Sequence, residues 1–294
     1  MPAVDYATRA TAALVCAVVL GIAVYVTVTF AASFSHVPRR SLFRSFRSAF
    51  HESLLAALVT ALFPLYVAIG RKRGSGTRPV ILVHGYTQNR ADFVYISRFL
   101  RGRGIGPVYG FNYFSFADIR SSGKRLARFA ERVCKETGTE AVDLVCHSMG
   151  GLVARHCIRL EPARVRRCVT VASPHSGVRF RGPVLGRGAR QLRTGTRFMM
   201  ELSAAPLGVP MLSIFSTHDN IVAPATPSAS LEPWGGHDFV VDHVGHLTIL
   251  FDKRVAGAIA DFLLADEPTA ANHGSGQRSS ESIEGGTTTA PPLA

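Results

Sequence analysis

The sequence predicts an α/β domain whose mostly parallel β-sheet is covered by helices on both faces. Between residues 71 and 265, short apolar runs rich in β-branched residues recur along the chain. Segments with the apolar spacing of helices separate these runs. The runs lack the strict polar alternation of a sheet with one solvent-exposed face. Because functional residues of such sheets gather at the carboxyl ends of the strands, we expect the chemistry there.

Six runs have the length of strands, and four segments have the spacing of helices. The strand runs are 80–84, 108–112, 141–147, 167–172, 210–216 and 238–242. Helices are predicted around 93–100, 126–133, 152–160 and 254–264. The sequence has no internal repeat, which favours a single domain of ordinary size.

The most apolar part of the chain is its N-terminal region. Residues 11–34 are 24 consecutive residues without a charge, and as a helix they would be about 36 Å long. We expect a membrane span there, although the small residues at 31–33 leave a cleaved signal peptide open. Residues 53–70, which include Pro64, predict either a second span or a helix in the membrane interface.

Basic segments lie on both sides of this second run. Arginines at 39, 40, 44 and 47 precede it, and the segment 71–78 (RKRGSGTR) follows it. The side of the membrane on which the rest of the chain lies therefore stays open. The predicted organisation is a membrane region over 1–70, an α/β catalytic domain over 71–265 and a disordered tail over 266–294 that is rich in Gly, Ser, Thr and Pro.

The charge balance is strongly basic, with 33 Lys and Arg against 20 Asp and Glu and a formal net charge of +13. The excess is spread along the chain and is not interleaved with aromatic residues as in a nucleic-acid-binding motif. We therefore expect anionic lipid headgroups, and not nucleic acid, as the partner of this charge. The five cysteines form no CxxC pair and do not fix the compartment.

A candidate nucleophile follows the third predicted strand. The sequence Cys146-His147-Ser148-Met149-Gly150-Gly151 lies between an apolar strand and a helical pattern. A serine at such a turn has its hydroxyl exposed at the sheet edge, and the small Gly150 suits the tight packing of the turn. Cys146 stands where the G-x-S-x-G pattern has glycine. The alternative is a serine that only caps the helix.

Two backbone amides are candidates for stabilising an oxyanion beside this serine. The first predicted strand ends in His84-Gly85-Tyr86. In acyl-transfer sites the loop after that strand donates one N–H, and the residue after the nucleophile donates the other. These donors would be the amides of Tyr86 and Met149, while His84 fits a structural role.

An acid and a base complete the predicted set. Asp219 follows the fifth predicted strand, and His246 lies 27 residues further on, before the last helix. The chain order Ser, Asp, His matches a catalytic triad, with Asp219 orienting His246. Asp242 is a rival for the orienting acid. His237 and His243 lie nearby, but their spacing fits no ligand motif, so no metal site is predicted.

From about residue 78 to 264 the chain resembles the α/β-hydrolase fold, specifically the bacterial lipases and esterases. Five motifs in family order carry the resemblance: VHGY at 83–86, CHSMGG at 146–151, SPHSG at 173–177, HDNIV at 218–222 and VGHL at 244–247. Cys146 in place of glycine and Ser173 in place of the usual threonine depart from the pattern. The resemblance implies ester hydrolysis through an acyl-enzyme, without a metal or an organic cofactor.

The combined prediction is a membrane-anchored serine hydrolase, a lipase or esterase, with Ser148 as nucleophile. A hydrolase held at a bilayer meets acyl lipids at high local concentration, so a lipid or small ester is the expected substrate. The expected location is a membrane, namely the bacterial inner membrane. The alternatives are an acyltransferase or thioesterase with the same residues, or a non-catalytic membrane-anchored interaction protein.

Arginines crowd the segment 179–197, which precedes the apolar residues 198–200. One interpretation is functional: the segment is a lid over the site or a surface that docks on lipid headgroups. The other is an ordinary solvated helix face. Neither the acyl-chain preference nor the oligomeric state has a signature in the sequence.

Overall fold

A parallel six-stranded sheet forms the centre of the structure, a computed structural model that describes residues 2–34, 42–61, 72–179 and 184–265. The order of the strands is β2-β1-β3-β4-β5-β6, and every neighbouring pair is parallel. The strands are β1 (Val80–Val83), β2 (Val108–Phe111), β3 (Val142–His147), β4 (Val165–Val171), β5 (Met211–Ser216) and β6 (His237–Val241). The predicted parallel α/β architecture is confirmed.

The central strands are apolar because both of their faces are covered. Every residue of β1, β3 and β5 is buried, whereas most residues of β6, at the sheet edge, are partly or fully exposed. One core cluster lies between the sheet and helices α4 and α5, and a second lies between the other face and helices α3 and α9. This two-sided burial explains why the strand runs lack polar alternation.

Helices connect the strands and cover the two faces of the sheet. The longer ones are α3 (Val94–Gly102), α4 (Ile119–Thr137), α5 (Met149–Leu160) and α9 (Lys253–Leu264). Three short helices come later in the chain. They are α6 (Gly186–Gln191) and α7 (Arg197–Ser203), between β4 and β5, and α8 (Ala225–Ala229), between β5 and β6. Helix α4 begins where the carboxylate of Asp118 accepts the N–H of Arg120 at 2.8 Å and ends at Gly138, which has a φ of 68°.

Two further helices precede the sheet, α1 (Pro2–Phe34) and α2 (Leu42–Ala61), and they pack against each other. In the part of the chain that the structure describes, no helix combines the length and the apolar character needed to cross a membrane. The membrane spans predicted over 11–34 and 53–70 are therefore not supported. Residues 62–70 of the second span and the tail predicted over 266–294 lie outside the described residues.

Candidate active site

Ser148 lies in a sharp turn between β3 and α5, at the carboxyl edge of the sheet. Its φ of 52° is in the left-handed region, which residues with a side chain seldom adopt. The turn is held by the Ser148 N–H, which donates to the carbonyl of Val171 at 2.8 Å. A Cβ at Gly150 would lie 2.4 Å from the carbonyl oxygen of Val83, so this position accepts only glycine. Strand, turn and helix therefore meet as the sequence predicts around Ser148.

Cys146, two residues before Ser148, belongs to the core of the sheet. Its side chain is fully buried in β3. Burial raises the pKa of the Cys146 thiol well above its ordinary value, and the neighbouring Cys168 raises it further. The residue that replaces glycine in the predicted pattern is thus a small apolar core residue here, with no reactive thiolate.

Ser148, His246 and Asp219 form a continuous line of hydrogen bonds. The Nε2 atom of His246 lies 2.9 Å from Ser148 Oγ, and its Nδ1 atom lies 2.9 Å from Asp219 Oδ2. The side chain of Asp219 is fully buried, and that of His246 is 12% exposed. The structure thus brings the predicted nucleophile, base and orienting acid together, although 27 residues separate the last two in the sequence.

Asp219 is fixed by the turn that follows β5. Its Oδ1 atom accepts the backbone N–H groups of Ile221 and Val222, each at 2.8 Å. These two donors stop the carboxylate from rotating. The second carboxylate oxygen consequently stays directed at Nδ1 of His246.

The rival acid, Asp242, is engaged elsewhere. Its Oδ1 atom accepts from Arg254 Nη1 at 2.9 Å, and its Oδ2 atom lies 3.0 Å from Nε2 of His243. Half of the Asp242 side chain is exposed to solvent. The structure therefore places Asp219, and not Asp242, beside His246.

The pKa of His246 reflects these neighbours. Burial alone would lower it, but the negative charge and hydrogen bond of Asp219, with a further contribution from the charge of Glu52, raise it above its ordinary value. The imidazole of His246 is therefore protonated more readily in this site than a free imidazole is in water. A base of this kind accepts a proton readily at neutral pH.

The loop after β1 lies directly beside the candidate nucleophile. A Cβ at Gly85 would come within 2.8 Å of Ser148 Cβ, so the backbone of Gly85 approaches the serine closely. Among the described residues, the amides of Tyr86 and Met149 donate no hydrogen bond to another group of the chain. Both predicted oxyanion donors are thus available next to Ser148. The Tyr86 hydroxyl donates to the carbonyl of Leu185 at 2.9 Å and ties this loop to the segment before α6.

Two residues that the sequence analysis did not single out connect the parts of the site. Nδ1 of His147 lies 2.7 Å from Gln88 Oε1, and Nε2 lies 2.8 Å from the carbonyl oxygen of His246. The same Gln88 oxygen accepts the N–H of Gly85 at 2.8 Å. Because burial holds the pKa of His147 well below its ordinary range, this imidazole is neutral. It connects Gln88 to the backbone of His246 through hydrogen bonds. Its position next to Ser148 in the HSMGG motif was the only signal in the sequence.

His84 is buried in the wall behind the loop. It stacks on Tyr113 with ring centroids 4.4 Å apart, and its Nδ1 atom lies 2.9 Å from the carbonyl oxygen of Gly85. Burial lowers its pKa to about 4, so the ring is neutral at physiological pH. These contacts fit the structural role that the sequence analysis gave to His84.

The histidines around 240 do not assemble a metal centre in the described part of the chain. No group of three or more His, Cys, Asp or Glu side chains in residues 2–34, 42–61, 72–179 and 184–265 could hold a metal ion. His237 is exposed on the edge strand β6. Asp242 instead pairs with His243 and with Arg254.

The arginine-rich segment is described in part, since residues 180–183 lie outside the described residues. Arg187 Nη2 lies 3.7 Å from Asp118 Oδ2, and Arg197 Nε donates to Glu201 at 2.9 Å. Phe198 and Met199 are buried core residues. These contacts are those of a solvated helix face with core residues behind it, and a lid function of the segment stays a prediction.

Comparisons with known proteins relate part of this chain to lipases and to a thioesterase. The family model for class 2 lipases matches residues 77–186. A triacylglycerol lipase of Burkholderia plantarii is 33% identical over 135 residues, which are 42% of this chain and 37% of that protein. A lysosomal thioesterase of Xenopus laevis is 29% identical over 106 residues, 34% of this chain and 37% of that protein. The chain thus spans little more than a third of the length of these curated relatives.

A solved structure decides the fold. The mature lipase of Bacillus licheniformis superposes with a TM-score of 0.57 at 16% identity, over 65% of this chain and 93% of the lipase. The fold is that of the α/β-hydrolases. The class 2 lipase match and the lipase relative show that part of the chain is similar to lipases.

Proposed function

We propose that this α/β-hydrolase cleaves carboxylic esters through an acyl-enzyme formed on Ser148. One observation carries the proposal: His246 lies 2.9 Å from Ser148 Oγ through one ring nitrogen and 2.9 Å from Asp219 through the other. A serine hydroxyl is a weak nucleophile until an adjacent base removes its proton, and this arrangement supplies the base and its orienting acid.

The first half of the reaction forms the acyl-serine. Ser148 Oγ attacks the ester carbonyl while His246 Nε2 takes the hydroxyl proton. The buried Asp219 carboxylate stabilises the imidazolium that results. The carbonyl oxygen becomes an oxyanion, which accepts hydrogen bonds from the amides of Tyr86 and Met149. When the intermediate collapses, His246 returns the proton to the departing alcohol.

The second half releases the acid and regenerates the serine. Water enters in place of the alcohol, His246 removes one of its protons, and the resulting hydroxide equivalent attacks the acyl carbon. The same two amides receive the second oxyanion. Ser148 leaves with the proton that His246 gives back, and the carboxylic acid departs. Neither half needs a metal ion or an organic cofactor.

The proposed substrate is a lipid acyl ester, and the proposed place of reaction is a membrane surface. The class 2 lipase match and the triacylglycerol lipase relative support a lipid substrate. Helices α1 and α2 expose large apolar side chains that could contact a lipid surface without spanning it: Val18, Leu20, Val24, Tyr25, Val28, Phe50, Leu54 and Leu58.

A fluorophosphonate probe tests the proposed nucleophile. Wild type should be labelled and should hydrolyse p-nitrophenyl esters, with a chain-length profile that separates lipase from esterase. Ser148→Ala should lose both, whereas Ser121→Ala, which changes an exposed serine on α4, should retain both. A folded wild-type protein that neither labels nor hydrolyses any ester would refute the proposal and favour a non-catalytic interaction protein.

Thioester hydrolysis is a second candidate, supported by the match to the lysosomal thioesterase. The same acyl-enzyme would form, but a thiolate would leave in place of an alcohol. Acyl-coenzyme A analogues and oxygen esters of the same acyl chain should be compared on kcat/KM. A preference for the thioester would replace the ester proposal without changing the roles of Ser148, Asp219 and His246.

A further inference from the structure

A second buried carboxylate reaches the loop that carries His246. Glu52 projects from α2 and is only 3% exposed. Its Oε1 atom accepts the backbone N–H of Leu247 at 2.5 Å, and its Oε2 atom accepts that of Thr248 at 2.9 Å. These two amides directly follow His246, although 195 residues separate Glu52 from Leu247.

The loop is shaped to fit this carboxylate. A Cβ added at Gly245 would lie 2.5 Å from Glu52 Oε2, so a side chain at this position would displace the Glu52 carboxylate. The N–H of Gly245 is turned away and donates to Thr248 Oγ1 at 2.7 Å. The backbone on both sides of His246 is therefore packed against a single side chain of α2.

Burying a carboxylate is costly unless donors compensate it. Burial raises the pKa of Glu52 above its ordinary value, and the N–H groups of Leu247 and Thr248 and the charge of His246 offset only part of that rise. Two backbone donors, one to each oxygen, are the compensation usual for an ionised carboxylate. A side chain with this environment does more than fill space between α2 and the sheet domain.

The N-terminal helices also contact the loop that carries Asp219. Asn220 Nδ2 donates to Thr29 Oγ1 of α1 at 2.8 Å, and Asn220 Oδ1 accepts the N–H of His246 at 3.1 Å. Ser48 Oγ of α2 donates to the carbonyl of His243 at 3.4 Å. Both loops that supply the acid and the base are thus tied to α1 and α2.

Three groups lie next to the His246 imidazole. Asp219 lies on Nδ1, Ser148 lies on Nε2, and the ring of His147 lies 4.8 Å away between centroids. Glu52 instead contacts the backbone that follows the ring, at the N–H groups of Leu247 and Thr248. Because His147 is neutral, Asp219 and Glu52 are the two charges that act on the imidazole.

We propose that Glu52 is a positioning residue for His246, supplied to the active site by the N-terminal helix α2. It fixes the loop that carries the base and places a second negative charge beside the imidazolium that forms during acyl transfer. This inference rests on the proposed serine hydrolase mechanism for its effect on rate. Its effect on the imidazole itself is independent of that mechanism.

The test compares wild type with Glu52→Gln, Glu52→Asp and the control Glu131→Gln, which changes a partly exposed glutamate on α4. The protonation of His246 is followed by NMR of protein labelled at the histidine Cε1 carbon, with His246→Gln used for assignment. Ester hydrolysis gives kcat, KM and the pH profile. Circular dichroism checks that each variant is folded.

Glu52→Gln is expected to lower the pKa of His246, because it removes a nearby negative charge. It should also lower kcat about tenfold with little change in KM, since the loop is held less firmly. Glu52→Asp should keep the pKa near the wild-type value and restore only part of kcat. Glu131→Gln should match wild type throughout.

The outcomes separate the two proposals. If Glu52→Gln is folded and its His246 pKa and kcat equal those of wild type, the inference about Glu52 is overturned. If wild type hydrolyses no ester but the imidazole pKa still falls in Glu52→Gln, the proposed function fails while the link between Glu52 and His246 stands. If Glu52→Gln does not fold, a reduced kcat with an unchanged pKa in Glu52→Asp supports the inference, and an unchanged kcat refutes it.

Discussion

Asp219 controls two properties of the His246 ring, namely which nitrogen carries the proton and how firmly the proton is held. By accepting from Nδ1, it leaves Nε2 free to accept from Ser148. Its buried charge outweighs the effect of burial on the imidazole, so the pKa of His246 is raised. Both properties depend on one carboxylate that backbone amides already hold in place.

Asp219→Asn should therefore change both rate and pH dependence. The general base must be neutral, so activity falls as the pH drops below the raised pKa of His246. Without the charge of Asp219 that pKa falls, and the acid limb of kcat/KM should move to lower pH. The amide also favours the wrong tautomer, so kcat should drop on the order of 10³- to 10⁴-fold. Initial rates between pH 5 and 9 measure both effects.

Asp242→Asn is the matched control, because this carboxylate pairs with Arg254 and His243 on the surface. We expect its kcat and acid limb to stay close to those of wild type. A large loss of kcat in Asp242→Asn with little loss in Asp219→Asn would reverse the assignment of the orienting acid.

At the scale of elements, the junction of β3 and α5 determines where the serine lies. The turn needs a positive φ at Ser148 and close contact between the first turn of α5 and the end of β1. Gly150 provides that contact, because a Cβ there would lie 2.4 Å from the Val83 carbonyl and 2.6 Å from the His84 carbonyl. Backbone atoms cannot give way as a flexible side chain can.

Gly150→Ala should thus push α5 away from β1 and displace Ser148. We expect the free energy of unfolding to fall by about 1–3 kcal/mol, the usual cost of overpacking. Fluorophosphonate labelling should slow in the fraction that remains folded. Urea denaturation and labelling rates measure the two effects.

Gly257→Ala is the control for this substitution, since Gly257 lies inside α9 and a Cβ there would meet nothing within 4 Å. It should raise the free energy of unfolding by about 0.5–1 kcal/mol, because alanine suits a helix better than glycine. Equal stability and equal labelling in Gly150→Ala and wild type would show that the junction tolerates a side chain after all.

At the scale of the whole molecule, the sheet was predictable because its strands are buried on both faces. The predicted run 141–147 and the observed β3 (Val142–His147) differ by one residue at the start, and the other five strands agree to within about two residues. The positions of the candidate site residues also follow from the fold, since turns at the carboxyl ends of parallel strands meet at one edge. The roles assigned to those residues remain predictions.

The contacts of the N-terminal helices were not predictable in the same way. A long apolar segment predicts a membrane span whether or not it packs on a domain. Nothing in the sequence near Glu52 indicates a contact with Leu247. Gln88 and His147 were missed for the same reason, because a hydrogen bond between side chains 59 residues apart leaves no local pattern. The spacing of apolar residues indicates which side chains are buried, but it does not indicate which residues they contact.

The amino edge of the sheet, opposite the candidate site, has a polar cluster of its own. Asp143 in β3 has a fully buried side chain. Its carboxylate accepts from Arg78 Nε at 3.1 Å and from Arg166 Nε and Nη2 at 3.0 and 2.7 Å. Three segments of the chain, the approach to β1 and strands β3 and β4, are joined by these hydrogen bonds far from Ser148.

Asp143→Ala should consequently reduce stability without altering the chemistry. Two arginines would lose a buried partner, and breaking such a pair costs about 3–5 kcal/mol of unfolding free energy. The control Asp261→Ala removes a 72% exposed carboxylate and should change stability by less than about 0.5 kcal/mol. Urea denaturation measures stability, and kcat per labelled active site should equal that of wild type in both variants. A loss of kcat per labelled site in Asp143→Ala would mean that the two edges of the sheet are coupled, because the ion pair would then be holding the geometry of the active site.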